Sequence, residues 1–208
     1  MKKLIIILLA VFIALPGLWA LNVGTSLQTT AKTLDTDQGH EVVLIGASTS
    51  LQQNLFGDFG IAGKIGIDFG VDAKLGGEIF SIGKQERVIN YQASFAFTYI
   101  PFLGNNVYLY LDAHLAWNTM TLQSGNRSDW DRTTFQSLSC GGTIGILSPA
   151  RGKLKNVQFF VCLSCDYPFL NLRTTRQRAD NSTSSASGGS IDASGYSLSL
   201  SAGVVFPI

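Results

Sequence analysis

Residues 59–75 read FGIAGKIGIDFGVDAKL. The odd positions are Phe59, Ile61, Gly63, Ile65, Ile67, Phe69, Val71, Ala73 and Leu75, and the even ones are Gly60, Ala62, Lys64, Gly66, Asp68, Gly70, Asp72 and Lys74. Side chains of a strand point alternately to its two faces, so this stretch is a strand with one apolar face and one face of small and charged residues.

The same alternation recurs. Ile89, Tyr91, Ala93, Phe95, Phe97 and Tyr99 oppose a polar and small set, as do Val107, Leu109, Leu111, Ala113, Leu115 and Trp117. Further apolar faces run through Leu138, Cys140, Gly142, Ile144 and Ile146, then Val157, Phe159, Val161, Leu163, Cys165 and Tyr167, and last Tyr196 to Phe206. Weaker signals at residues 21–30 and 41–51 bring the count to eight. Connections at about 51–58, 100–106 and 148–156 are short, whereas 31–40, 76–88, 119–134 and 168–195 are long. Short turns at one rim and long loops at the other predict an all-β fold, an eight-stranded antiparallel up-and-down transmembrane β-barrel.

A soluble barrel would show the same alternation with the apolar face turned inward around a ligand. Three features favour an apolar face turned toward lipid. The polar set is mostly Ser, Gly, Thr, Ala and Asn, which pack a narrow lumen but make a poor aqueous surface. Trp117, Tyr167 and Tyr196 sit toward the long loops and Phe59, Tyr99 and Phe206 toward the short turns, as two interfacial girdles require. From residue 59 onward the apolar faces carry no Lys, Arg, Asp or Glu. An Arg or Lys at the bilayer midplane would cost roughly 2–4 kcal/mol.

The chain has 208 residues, 46% hydrophobic and only 14% charged, which fits one domain. Lys2 and Lys3, the apolar run Leu4–Leu15, the Pro16–Gly17 break and Leu18-Trp19-Ala20 form an export signal over residues 1–20, leaving 21–208 as the barrel. The run is too short for a spanning helix, which needs about 20 residues, and no Cys follows it to mark a lipoprotein. Without Lys2 and Lys3, 13 of the 15 basic residues remain against 14 acidic ones, a balance that gives no reason to expect nucleic acid.

Ser201, Gly203, Phe206 and Ile208 match the terminal assembly signal of outer-membrane barrels: a polar residue, then Gly, then two alternating hydrophobic residues at the chain end. With eight strands, the mature chain resembles the small outer-membrane barrels of the OmpA, OmpX and OmpW type. The resemblance implies residence in the outer membrane, contact with its lipid and insertion by the barrel assembly machinery. An OmpW-like relationship would imply a narrow route for small apolar molecules, yet only Phe160, Val205, Val42 and Leu44 put apolar groups on the inner face.

Eight strands leave a lumen just wide enough for side chains, which excludes a wide channel. Lys64, Asp68, Asp72, Lys74, Asp112, His114 and Asp166 fall on the inner face as a mixed-sign set, and buried charge must be paired. The expectation is a hydrogen-bonded network that plugs and rigidifies the barrel. Asp112 and His114 could pass for two members of a catalytic triad, but His114 points into the lumen, and His40 beside Glu41 has no matching nucleophile. An enzyme is not expected, nor a metal or other cofactor.

That leaves a structural and surface-binding, adhesin-like role. Its candidate contacts are Arg173, Arg176 and Arg178, which could grip phosphate or sulfate, and Trp130, all facing an extracellular ligand or host component. The rest of the last long loop is Ser/Gly/Asn-rich. A hairpin turning at 148–156, with same-face residues kept opposite one another, requires paired residue numbers to sum to about 303 or 305; with about 305, Cys140 lies directly across from Cys165, within disulfide reach. Free thiols facing lipid are the alternative. Cys162 is expected to stay reduced inside.

Overall fold

The computed structural model describes residues 21–35, 40–75, 78–80, 87–125, 130–149, 157–179, 182–190 and 195–207. The expected export signal and Ile208 lie outside the described residues. Eight long strands run in chain order: β1 (Leu21–Asp35), β2 (His40–Phe56), β3 (Phe59–Leu75), β4 (Arg87–Tyr99), β5 (Val107–Gly125), β6 (Trp130–Pro149), β7 (Gln158–Ala179) and β8 (Ser197–Pro207). Each pairs antiparallel with its neighbours, and β8 pairs with β1, so the sheet has no open edge. Starting from Phe160 on β7, the paired residues are Gly203, Ser26, Ser48, Gly66, Gln92, Asn118 and Ser137, and the path returns to β7 at Asn171. That offset is the stagger that tilts the strands of a closed barrel.

The wall is inverted relative to a water-soluble protein. Leu27, Ile65, Phe97, Val161 and Leu200 are all more than half exposed on the outside. Inside, Ser26, Gln28, Ser48, Asp68, Asn90, Ser139 and Ser201 are buried. Trp117, Tyr167 and Tyr196 are exposed toward the long-loop rim. At the other rim, Phe59 stacks on Tyr99 with ring centroids 4.7 Å apart and packs beside Phe56 at 5.5 Å. The short-turn rim is built by local backbone chemistry. Asn105 and Asn106 take φ of 52° and 62°, the left-handed pair that a tight hairpin turn needs and that Asn tolerates well.

Three expectations change in the structure. First, most of the expected long loops are strand. β1 runs to Asp35 and β2 resumes at His40, β5 runs to Gly125 and β6 starts at Trp130, and β7 continues to Ala179 before Ser182–Ser190 folds back on it. These segments are rich in Thr, Ser and Gln and look like loops by polarity. Thr, however, is β-branched, and each segment has a partner strand to satisfy its backbone, so the ladder continues beyond the apolar wall.

Second, two bulges reverse the inside-outside count. Val43 pairs with Asp72 but Leu44 with Gly70, which leaves Val71 unpaired on β3. Asp72 therefore turns to the exposed outer side and Ala73 goes inside, at 3% exposure. Asp72 is not a lumen residue; Lys74 pairs with Glu41 along the backbone, and its side chain lies outside the described residues. On β7, Ser139 pairs with Pro168 and Leu138 with Leu170, so Phe169 is the extra residue.

Third, the β6–β7 hairpin is paired two residues away from the expected register. Cys140 lies across from Tyr167 and Cys165 across from Gly142, and all three cysteines are free. Same-face pairing holds, because parity is set by the burial pattern, but the hairpin turns later in the chain than the expected connection implies. The observed register predicts that Gly142→Cys will form a disulfide with Cys165 under mild oxidant, while the native pair Cys140 and Cys165 will not. Thiol counting by mass spectrometry reads this, and a native Cys140–Cys165 bond would overturn the register.

Candidate functional site: the filled lumen and the extended rim

The lumen is organised in layers. Asp68, 1% exposed, accepts Gln28 Nε2 at 2.6 Å and Asn90 Nδ2 at 2.8 Å. Gln28, Gly46 and Asp68 are successive partners on β1, β2 and β3, so the Gln28–Asp68 bond passes over Gly46. A Cβ at Gly46 would collide with Asp68 Oδ1 and the Ile67 carbonyl.

The same device recurs on the opposite wall. His114, Gly141 and Asp166 are successive partners on β5, β6 and β7, and His114 Nε2 reaches over Gly141 to Asp166 Oδ1 at 2.6 Å. His114 Nδ1 meets Asp112 Oδ1, also at 2.6 Å. Ser197 Oγ donates to Asp166 Oδ2 at 3.1 Å. With a carboxylate on each ring nitrogen, the arrangement calls for a proton on both, which makes His114 a cationic bridge between two anions. Neither nitrogen is left to take a proton from a hydroxyl.

A cavity of about 100 Å³, room for a few waters, lies between these walls. It is lined by Lys64, Tyr110, Asp112, His114, Cys162 and Asp166, with serines from β1, β2, β7 and β8 around them. Lys64 shares this cavity with Asp112 and Asp166. Lys32, which falls in a stretch expected to be loop, is a further lumen cation. It continues the inward row of Gln28 and Thr30. Extending the odd-even count of the weak first strand by one more inward position finds it. Among the described residues, the inner face thus carries Lys32, Lys64 and His114 together with Asp68, Asp112 and Asp166.

Toward the long-loop rim the lumen turns apolar. Val42, Leu44, Ala73, Val88 and Met120 form a buried cluster, with Leu122 and Phe135 packed against it. Ala73 enters only because of the β3 bulge, and Met120 lies in a stretch expected to be loop. Of the terminal assembly signal, Ser201 is buried in the lumen, Gly203 sits against Ser26, and Phe206 is exposed outside. Trp130, Arg173, Arg176 and Arg178 all fall in the β6–β7 extension. Along the backbone Trp130 is paired with Arg178 and Phe135 with Arg173, and the side chains of Trp130 and the three arginines lie outside the described residues.

No protein-family model matches the sequence, and no curated protein is similar to it. Solved structures are similar in fold. The Neisserial surface protein NspA superposes with a TM-score of 0.59 at 14% identity, over 90% of this chain and 97% of that one. A major outer membrane protein of Thermus thermophilus gives 0.58 at 15% identity, over 89% and 99%. The outer membrane protein OprG of Pseudomonas aeruginosa gives 0.55 at 9% identity, over 91% and 96%. With a closed ring of eight tilted strands, an apolar outer wall banded by aromatic residues and a polar lumen, the chain has the fold of the small eight-stranded outer-membrane β-barrels.

Proposed function

We propose that this protein is a structural and surface-binding, adhesin-like barrel, exported by its first 20 residues and inserted by the barrel assembly machinery through the terminal signal. Its binding surface is the β-extension at the long-loop rim. The observation that carries this reading is the state of the lumen: a mixed-charge network around a cavity of about 100 Å³ and an apolar cluster occupy it in series, so recognition falls to the rim. His114 has both ring nitrogens committed to carboxylates, which argues against acyl transfer or hydrolysis. Arg173, Arg176 and Arg178 with Trp130 make a sulfated or phosphorylated extracellular ligand the matching chemistry. The Yersinia pestis attachment protein Ail, solved in complex with the heparin analogue sucrose octasulfate, superposes with a TM-score of 0.50 at 9% identity, over 91% of this chain and 98% of that one. That supports the same class of ligand.

A second reading, a narrow route for small apolar molecules, gains from the apolar cluster of Val42, Leu44, Val88 and Met120. The charged layer around Asp68 directly beneath it works against that reading. Reconstitution in planar bilayers separates the two: the surface-binding reading predicts no discrete conductance, and an apolar-solute flux would replace it. Orientation is tested on intact cells. Added protease is expected to cut between Asp180 and Gly195 and to spare residues 150–156; the reverse pattern would put the extension on the wrong side. Cells displaying the protein should bind a sulfated polysaccharide, with binding falling about tenfold when Arg173, Arg176 and Arg178 are all changed to Gln.

A further inference from the structure

The lumen cavity opens where the residues around Lys64 are small. Lys64 pairs with Ser50 on β2 and with Ser94 on β4, and Ser94 pairs in turn with Ala116 on β5. One inward step nearer the short turns, Ala62 pairs with Ala96. All of these residues line the cavity, so the Lys64 side chain enters a space bounded largely by methyl and hydroxymethyl groups.

Two donors on this wall are unmatched. Among the described residues Lys64 makes no hydrogen bond and no ion pair, although Asp112 and Asp166 line the same cavity. Gln92 lies across Gly66, one inward step above Lys64, with its Nε2 2.7 Å from the place a Cβ of Gly66 would take. That Nε2 is buried and has no partner. The facing wall is already engaged. Asp112 and Asp166 each put an oxygen on His114, Ser197 donates to the other oxygen of Asp166, and Thr143 and Ser164 bond each other at 2.9 Å. A buried donor without an acceptor is costly, so the β3–β4 wall calls for an acceptor. Water meets that need only by bringing hydrogens that require acceptors of their own, whereas an anion accepts from every side.

We propose that the lumen cavity binds a small monovalent anion of the size of chloride, bromide or nitrate, held by Lys64 Nζ and Gln92 Nε2 with the hydroxyl of Ser94 beside them. A volume of about 100 Å³ admits such an ion together with some water. Hydrogen bonds from an ammonium to an anion are the strong kind, and the low dielectric of a closed barrel strengthens them further. His114 offsets part of the charge of Asp112 and Asp166, but their presence across the cavity keeps the site a weak one. This goes beyond the surface-binding reading and is independent of it, because the site lies inside the barrel and uses none of the rim arginines.

The test uses the full barrel refolded into phosphatidylcholine vesicles, in chloride or, at equal ionic strength, in gluconate, which is too large for the cavity. Folding of each variant is checked first by the heat-modifiable gel mobility of the closed barrel. Chloride is expected to raise the urea midpoint of the wild type, and the dependence of that midpoint on chloride gives the affinity. K64M and Q92L should each weaken the affinity about tenfold, the loss of one hydrogen bond to a charged group, and K64R should keep part of it. Crystals soaked in bromide should show an anomalous peak beside Lys64 and Gln92. Equal midpoints in chloride and gluconate, a cavity that holds only water after the soak, or an undiminished chloride effect in either K64M or Q92L would overturn the assignment. If K64M does not fold, Q92L and the bromide position decide. The variant with Arg173, Arg176 and Arg178 all changed to Gln should respond to chloride as the wild type does, so failure of the anion site leaves the surface-binding reading standing.

Discussion

Ile65→Arg should cut membrane insertion of the folded barrel by between one and three powers of ten. Ile65 is the central outward residue of β3, 66% exposed, with Ala93 and Thr49 as its cross-strand neighbours. An arginine there sits among acyl chains at mid-depth, where it costs about 2–4 kcal/mol, and every 1.4 kcal/mol is about tenfold. Leu111→Arg on β5 should act the same way, with a smaller loss, because Leu111 is half-buried. Ser199→Arg is the contrast. Ser199 is inward, its hydroxyl 2.9 Å from Thr30 Oγ1, and it lines the cavity. An arginine at that position crowds the lumen but leaves the lipid face unchanged, so membrane partition should persist while stability drops. The measurement is the folded fraction in vesicles over a urea series. Full tolerance at both Ile65 and Leu111 would mean that this face does not lie in lipid.

The second large effect is expected at Gly141. Even an alanine would put its Cβ 2.5 Å from the Cys165 carbonyl oxygen and 2.7 Å from both Asp166 Oδ1 and His114 Nε2. The obstruction is partly backbone, so a rotamer change does not relieve it. Gly141→Ala should therefore pull the His114–Asp166 bridge apart and lower unfolding stability by about 3 kcal/mol, the scale of a broken buried ion pair. Asp166→Asn, which leaves the imidazolium with one anionic partner, should cost a similar amount. Because both changes act on one bridge, their combination should cost clearly less than the two separate losses together. Strict additivity in that cycle would show that Gly141 serves only backbone packing. A change below about 0.5 kcal/mol for Gly141→Ala would remove the bridge from the stability account.

The alternation in residues 59–75 and its repeats was enough to identify eight walls, their apolar and polar faces and the two rims, because side-chain direction in a strand depends only on position parity. It also placed Lys64, Asp68, Asp112, His114 and Asp166 on the inner face, where the structure has them. Parity counting assumes one residue per pair, and it fails at Val71 and Phe169. A bulge is decided by how two strands fit around a closed barrel, and nothing in the run Phe69-Gly70-Val71-Asp72 marks which residue is skipped. Asp72 was lost to the lumen that way, and Ala73 was gained.

Pairing register was also beyond the chain itself. The burial pattern constrains it only to steps of two, which is the interval by which Cys140 missed Cys165. The role of the inward glycines depends on three strands at once. Gly46 and Gly141 look like small filler in the sequence, but each is the open point over which side chains of the two flanking strands meet. Lys32 joined the network because β1 kept its pairing with β8 past the expected strand end. What the residues determined alone was the chemistry of each face. Only closure of the barrel decided which charges meet, since those partners lie on different strands and are brought together by stagger and bulges.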